Sequence, residues 1–259
     1  MSNIEKLLEI MARLRDRESG CPWDLEQDFS TIAPHTIEEA YEVADAIERK
    51  DWSELRGELG DLLFQVVFYT QLGKEQGLFD FDEVAGGIAD KLVRRHPHVF
   101  GDVEERDARG VRGRWEDIKE QERADHDDQS ALAAIANALP ALKRAQKLGK
   151  RAARVGFDWP DRRGVSGKIE EELGELEQAT VTGDAAGIEE ELGDLLFAVV
   201  NLARHLDVDA EKALTRANYK FERRFRAMEA AIGADGLDMR RLDLEVLEKH
   251  WLDAKKRVG

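Results

Sequence analysis

The sequence predicts an all-α fold, a tandem duplication in which each half is a bundle of four or five helices. Three observations carry that prediction. The block Glu58-Leu59-Gly60-Asp61-Leu62-Leu63-Phe64 recurs residue for residue as Glu191-Leu192-Gly193-Asp194-Leu195-Leu196-Phe197, an offset of 133, and Val66-Val67 recurs as Val199-Val200. Apolar residues in both halves follow a helical period, with no period-two run between hairpin turns. The composition, 7 % aromatic with 5 prolines, suits helices better than strands. At about 150 residues per domain, the 259 residues allow one large domain or two small ones, and the repeat selects two.

In the first half, Leu7, Leu8, Met11 and Leu14 share one helical face, and Cys21-Pro22 stops the run. A second helix is expected from Pro34-His35-Thr36, where Thr36 and Glu39 have capping-box spacing, and a third from Asp51 to Ser53 through the apolar run to Leu72. Phe81 to Arg95 and Val111 to Glu122 follow. The second half repeats the plan with Ala141 to Arg154, Ser166 to Val181, Gly187 to Leu206, Ala210 to Ala231 and Leu242 to Lys256. The polar stretch Arg123 to Ser130 lacks apolar periodicity and reads as a linker, which gives domains at residues 1–122 and 131–259 around residues 123–130.

Composition excludes several classes of function. Lys and Arg total 39 against 55 Asp and Glu, a net charge of −16, the reverse of the basic excess a duplex nucleic-acid binder needs to replace counterions. A single cysteine, Cys21, excludes an internal disulfide and any multi-thiolate metal site. The first residues carry acids among their leucines and do not read as a signal peptide. Apolar runs such as Leu195 to Val200 are far shorter than the roughly 20 residues of a membrane helix. No membrane partner and a cytoplasmic setting are expected.

The chemistry lies in repeated acids. The offset carries Glu38-Glu39 and Glu42 onto Glu171-Glu172 and Glu175, and in both copies the first acid helix precedes the second by the same interval of 19, from Glu39 to Glu58 and from Glu172 to Glu191. Residues three or four apart share a helical face, so Glu172 with Glu175, and Glu191 with Asp194, project together. A short turn around Gly183 to Gly187 makes these helices antiparallel neighbours. The second helix runs into Leu195-Leu196-Phe197-Ala198-Val199-Val200, apolar on all sides and expected to be buried. Acids crowded beside a buried helix must shed charge or find cations, and neither tetrad contains a basic residue. A hard divalent cation answers that need, and Mg²⁺ commonly bridges carboxylates to substrate phosphates. Downstream, Lys220 and Arg224 lie one turn apart, and Lys255 one turn after Trp251, bases and an aromatic suited to a nucleotide triphosphate. Gly164-Val165-Ser166-Gly167-Lys168 lacks the spacing of a P-loop.

Taken together, the Glu-Glu-x-x-Glu and Glu-x-x-Asp pair with its Gly-Asp-Leu-Leu-Phe continuation resembles the MazG nucleoside triphosphate pyrophosphohydrolases. Gly20-Cys21-Pro22-Trp23-Asp24, Arg94-Arg95-His96-Pro97-His98-Val99-Phe100, Val155-Gly156-Phe157-Asp158-Trp159 and Lys220-Phe221-Glu222-Arg223-Arg224-Phe225 extend the likeness to the two-domain bacterial form along the whole chain. The resemblance implies a homodimer, a Mg²⁺ requirement with Mn²⁺ as substitute, and cleavage of nucleoside triphosphates to monophosphate and pyrophosphate. It places metal ligands at Glu172, Glu175, Glu191 and Asp194, with Glu171 beside the attacking water. Substrate contacts fall on Lys168, Glu190, Asn218, Lys220, Arg223, Arg224, Trp251 and Lys255. The counterparts are Glu38, Glu39, Glu42, Glu58 and Asp61, then Lys91, Arg95, Trp115 and Lys119, with Glu39, Glu42, Glu58 and Asp61 as a second candidate metal site. Copy one has Ala89 opposite Asn218 and His35 opposite Lys168, so the resemblance implies that the C-terminal copy is the active one.

Plainer readings stand beside these. The capping box explains Glu39 without a metal, whereas copy two has Ile169 at the position of Thr36. Trp115 and Trp251 also suit a core. The stripe Lys143, Arg144, Lys147, Lys150, Arg151, Arg154 reads first as a solvated basic face. His96 and His98 lack further zinc partners, and His205, His250 and Cys21 read as incidental. The alternative function is a nucleotide-binding regulator with little catalysis.

Overall fold

The computed structural model describes residues 1–101, 107, 110, 111, 114, 115, 118, 128 and 130–258. Among the described residues all regular structure is helical. The chain divides into two compact units, Met1–Lys119 and Glu120–Gly259. The linker read at residues 123–130, apart from Asp128 and Ser130, and most of the helix read at residues 111–122 lie outside the described residues.

The first unit contains α1 (Asn3–Leu14), α2 (Pro22–Glu26), α3 (Phe29–Arg49), α4 (Trp52–Glu75), α5 (Phe81–Arg95) and the single turn α6 (Pro97–Phe100). Cys21-Pro22 does not stop the first helix, which ends at Leu14; Pro22 instead opens α2, where its missing N–H costs nothing. Helix α3 starts at Phe29, not near Pro34. The Asp28 carboxylate accepts from the Ser30 and Thr31 amides at 2.8 and 2.9 Å, and Thr31 Oγ1 accepts from the Asp28 amide at 2.8 Å, a complete capping box about two turns upstream of Thr36. Thr36 therefore lies inside the helix, and its hydroxyl shares a 2.9 Å hydrogen bond with that of Tyr69. The capping explanation of Glu39 falls with it.

Helices α3 and α4 form a hairpin. Lys50 turns the chain at φ 59°, and Asp51 caps α4 by accepting from the Ser53 and Glu54 amides. The core below is Met11, Ile32, Val67, Phe68 and Leu72, joined by Leu7, Leu8, Phe29, Phe64 and Tyr69. Arg15, with its side chain 8 % exposed, closes one end of it. The guanidinium lies 2.7 Å from Glu75, donates to the Gln27 carbonyl and covers the Phe68 ring.

The second unit comprises α7 (Ala141–Arg154), α8 (Arg162–Thr182), α9 (Ala185–His205), α10 (Ala210–Ala234), a 3₁₀ turn (Met239–Arg241) and α11 (Leu244–Val258). The α8–α9 hairpin reproduces the first at the same offset. Gly183 occupies the left-handed position of Lys50, at φ 71°, and Asp184 the capping position of Asp51. Glycine adopts that conformation without the strain Lys50 carries. Helix α8 begins four residues before Ser166 because Asp161 caps it. Met228, Ile232 and Ala254 form the core between α10 and α11, with Phe225 and Trp251 packed against them.

The run Leu195 to Val200 is not buried throughout. Ala198 and Val200 are, whereas Leu196 and Val199 are about half exposed, with Phe197 nearly so. Leu192, Leu196 and Val199 recur at i, i+4 and i+7, and in α4 Leu59, Leu63 and Val66 repeat the exposed stripe. One flank of each hairpin meets the unit's interior. The opposite flank presents apolar side chains.

Candidate metal and nucleotide site

Each hairpin gathers acids from both of its helices. Carboxylate oxygens of Glu172, Glu175 and Glu191 lie within 4.8 Å of one another, as do those of Glu39, Glu58 and Asp61. The fourth acid of each tetrad stands beside its group. Asp194 acts on Glu191, and Glu42 on both Glu39 and Glu58, by like-charge repulsion. The four acids read from the sequence in each copy are thus neighbours across one seam. Loss of hydration first, then repulsion from Glu175, Glu172, Glu190 and Asp194, raises the Glu191 carboxyl above the ordinary carboxylate range. Glu39 and Glu58 are raised for the same two reasons. Three or four hard oxygens per helix pair, closely spaced and mutually repelling, suit a hard divalent cation.

The C-terminal tetrad holds no basic residue of its own but has one beside it. Lys168, one turn before Glu172 on α8, places its ammonium 2.8 Å from Glu171 and 2.7 Å from Glu172. Those two carboxylates raise the Lys168 pKa. Glu172 is 4 % exposed and Glu171 lies in solvent, so the lysine anchors the buried acid and orients the exposed one. In the first unit His35 reaches only Glu38, at 3.7 Å.

The downstream residues assemble on α10 and α11. Asn218, Lys220 and Arg223 are exposed, Arg224 is half-buried, and its Nε–H is sealed from solvent with no hydrogen-bond partner among the described residues. Trp251 meets Phe221 at 5.2 Å between ring centroids, and the Lys255 ammonium lies 5.7 Å above the indole. Trp251 is thereby both a core aromatic and a rim residue. Among the described residues no hydrogen bond or ion pair joins this group to the acids, and Glu190 adjoins Glu191 only through its charge. In the first unit Trp115 faces His96 at 6.1 Å, and Lys119 lies outside the described residues.

One set escaped the sequence reading. Asp158, in the loop before α8, pairs with Arg204 and, at 3.0 Å, with His205 Nε2, while Arg204 Nε donates to the buried Asn201 at 2.8 Å. The Arg204 bond foremost holds the Asp158 carboxyl below its ordinary range. His205 is therefore a structural partner and not incidental. Its only advance signal was Asp158 within the Gly-Phe-Asp-Trp loop, 47 residues away.

Fold and site together define an all-α protein whose helix hairpins carry acidic clusters able to hold a metal. Its sequence matches the MazG nucleotide pyrophosphohydrolase domain over residues 27–100 and again over residues 165–228, the two hairpins just described. The chain belongs to that family. It is 56 % identical over 259 residues to the nucleoside triphosphate pyrophosphohydrolase of Escherichia coli K12, covering 99 % of this chain and 98 % of that protein. It is 45 % identical over 251 residues to the nucleoside triphosphate pyrophosphohydrolase/pyrophosphatase MazG of Thermotoga maritima, covering 97 % and 95 %. With the nucleoside triphosphate pyrophosphohydrolase of Mycobacterium tuberculosis it shares 28 % identity over 258 residues, 96 % of this chain and 68 % of that protein. No helix among the described residues is long and apolar enough to cross a membrane.

Proposed function

We propose that the protein hydrolyses nucleoside and deoxynucleoside triphosphates to the monophosphate and pyrophosphate, with Mg²⁺ held in the C-terminal hairpin and residues 131–259 as the active domain. The observation that carries this reading is the cluster of Glu172, Glu175 and Glu191 beside a family match at high identity. Glu172, Glu175, Glu191 and Asp194 would hold the metal, and their all-oxygen donor set fits Mg²⁺, with Mn²⁺ as a substitute. When bound, such a metal lowers the pKa of a water and neutralises charge on the phosphates. Glu171, exposed and joined to the cluster through Lys168, would orient that water and accept its proton. Lys168 would bind a phosphate oxygen in exchange for a carboxylate partner. Lys220, Arg223, Arg224 and Lys255 would bind phosphate oxygens, the buried Arg224 Nε–H being a donor in need of an acceptor. Asn218, Glu190 and the Trp251 ring would contact the nucleoside.

The acids Glu39, Glu42, Glu58 and Asp61 form a second, N-terminal candidate metal site without the lysine, and we assign it a structural or weakly active part. The apolar stripes on α4 and α9 support a homodimer in which hairpins of two copies cover each other. The decisive experiment incubates the protein with Mg²⁺ and a panel of triphosphates and separates the products. Pyrophosphate with monophosphate is expected, and orthophosphate as the sole inorganic product overturns the assignment. Binding without turnover would favour the regulator.

A further inference from the structure

The two hairpins differ beneath their acids as well as beside them. At the offset of 133, Thr36, Gln65 and Tyr69 of the first unit correspond to Ile169, Ala198 and Leu202 of the second. The floor of the acidic seam is therefore polar in one copy and apolar in the other. Gln65 is 5 % exposed and Ala198 6 %, so both positions face the interior of their unit. On α4, Gln65 lies four residues after Asp61 and seven after Glu58, which puts the three on one face, and helical side chains lean towards the N-terminus, here towards the acids. Across the hairpin, Thr36 stands three residues before Glu39 on α3.

Hydrogen bonding singles out the glutamine. The Thr36 and Tyr69 hydroxyls bond to each other at 2.9 Å, and the Tyr69 ring stacks on Phe29 with centroids 6.0 Å apart, so that pair is satisfied and fixed. Gln65 Oε1 is sealed from solvent and has no hydrogen-bond partner among the described residues. Buried carbonyl oxygens are normally paired, and the second unit has a methyl group at this position. An amide oxygen can be satisfied only by a donor or a cation. The next groups along its face, Asp61 and Glu58, are acceptors like itself, and among the described residues no ion pair reaches Glu39, Glu42, Glu58 or Asp61. In the second unit, by contrast, the Lys168 ammonium stands 2.7 Å from Glu172.

The two donor sets suit different ions. Mg²⁺ demands a strict octahedron and keeps several waters, which suits a site where phosphates must replace them. Ca²⁺ takes six to eight oxygens in flexible geometry and accepts amide carbonyls alongside carboxylates. We propose that the N-terminal cluster is a calcium site in which the Gln65 amide oxygen joins Glu39, Glu42, Glu58 and Asp61, so that the ion ties α3 to α4. This rests on the reading of those acids as a metal site, to which it adds the ion and a neutral ligand.

Calorimetric titration of the full chain, stripped of metal with EDTA and dialysed, with Ca²⁺ and separately with Mg²⁺ tests the proposal. The C-terminal acids are silenced as Glu191→Gln/Asp194→Asn, and no nucleotide is present. That chain is expected to bind Ca²⁺ at least about tenfold more tightly than Mg²⁺, and its melting temperature is expected to rise with Ca²⁺. Adding Gln65→Met, which keeps the length of the side chain without its oxygen, is expected to weaken Ca²⁺ binding at least about tenfold, the lower end of the loss when a group supporting a metal is removed. Mg²⁺ binding is expected to change less than about twofold. Gln65→Ala, the residue of the second copy, gives the same comparison should methionine disturb the core. In the otherwise wild-type chain either substitution is expected to leave pyrophosphate release unchanged. Equal affinity for the two ions, or Ca²⁺ binding indifferent to both Gln65 variants, overturns the calcium assignment while the metal site itself stands. A silenced chain that takes up neither ion removes the N-terminal metal site altogether, and the calcium assignment with it.

Discussion

The two hairpins of this chain carry the same acids at the same intervals, yet their surroundings differ. In the C-terminal hairpin Glu172 is buried and bonded to Lys168, while the exposed Glu171 pairs with the same ammonium. In the N-terminal hairpin Glu39 is half-buried, its crowding relieved by no cation among the described residues, and His35 attends only to Glu38. A duplicated backbone preserves a place for metal. What distinguishes the copies is one side chain a turn upstream.

The sharpest break of this comparison is removal of one acid from each copy. Asp194→Ala is expected to lower kcat for pyrophosphate release by about 100-fold or more, a loss typical of removing charge stabilisation from a hydrolytic site. Asp61→Ala is expected to change it less than about twofold, and equal losses would show two working centres. Next in size is the lysine. Lys168→Met is expected to lower kcat/KM by about tenfold, with Arg recovering part of it, while His35→Lys leaves activity at the wild-type level. Product assays under substrate saturation and at low substrate separate the two parameters. Charge placed on the exposed stripe, Leu196→Lys or Leu63→Lys, is expected to shift sedimentation from dimer to monomer, and a monomeric wild type would remove the dimer from the account.

Two pH effects of opposite sign follow. Glu191, Glu39 and Glu58 are raised, so in the metal-free protein the folded state holds protons that the unfolded state releases. Their contribution to stability improves as pH falls from neutrality towards the ordinary carboxylate range, and proton competition weakens divalent-cation binding across the same interval. Asp158 is lowered from 3.8, so its contribution is complete above that value and lost as pH falls through its folded-state pKa. Asp158→Asn is expected to cost about 1 kcal/mol near neutral pH after screening by solvent, and nothing once acid has protonated the wild-type carboxyl. Denaturant titrations at neutral and strongly acidic pH compare the two proteins.

Much of this was legible before the fold was known. The duplication fixed both acid tetrads, because repetition at constant spacing cannot arise from generic helical acidity, and Phe81–Arg95 and Ala141–Arg154 match their predicted ends residue for residue. Helix starts were less legible where a cap competed with a proline. Asp28 outweighed Pro34, since a side-chain acceptor satisfies amides that proline merely lacks. The apolar run of α9 misled in another way. Periodicity reports which residues are apolar, while exposure depends on what the next layer covers, and Leu196 and Val199 face outward from their own unit. Lys168 reads from the sequence as a substrate contact, and its i, i+4 spacing to Glu172 was the unused signal for the ion pair found. The Asp158 contacts span a loop and a helix end, a relation that no local pattern encodes.

Gly164 opens the stretch that superficially looked like a phosphate loop, and its role is different. The indole of Trp159 lies directly against its Cα, so that any Cβ there would collide with the ring. The bare backbone is a socket that seats the tryptophan in the first turn of α8, about two turns ahead of the buried carboxylate of Glu172. Alanine at this one position would therefore force the indole to shift, a disturbance two turns from Glu172 that begins at a point touching neither metal nor nucleotide.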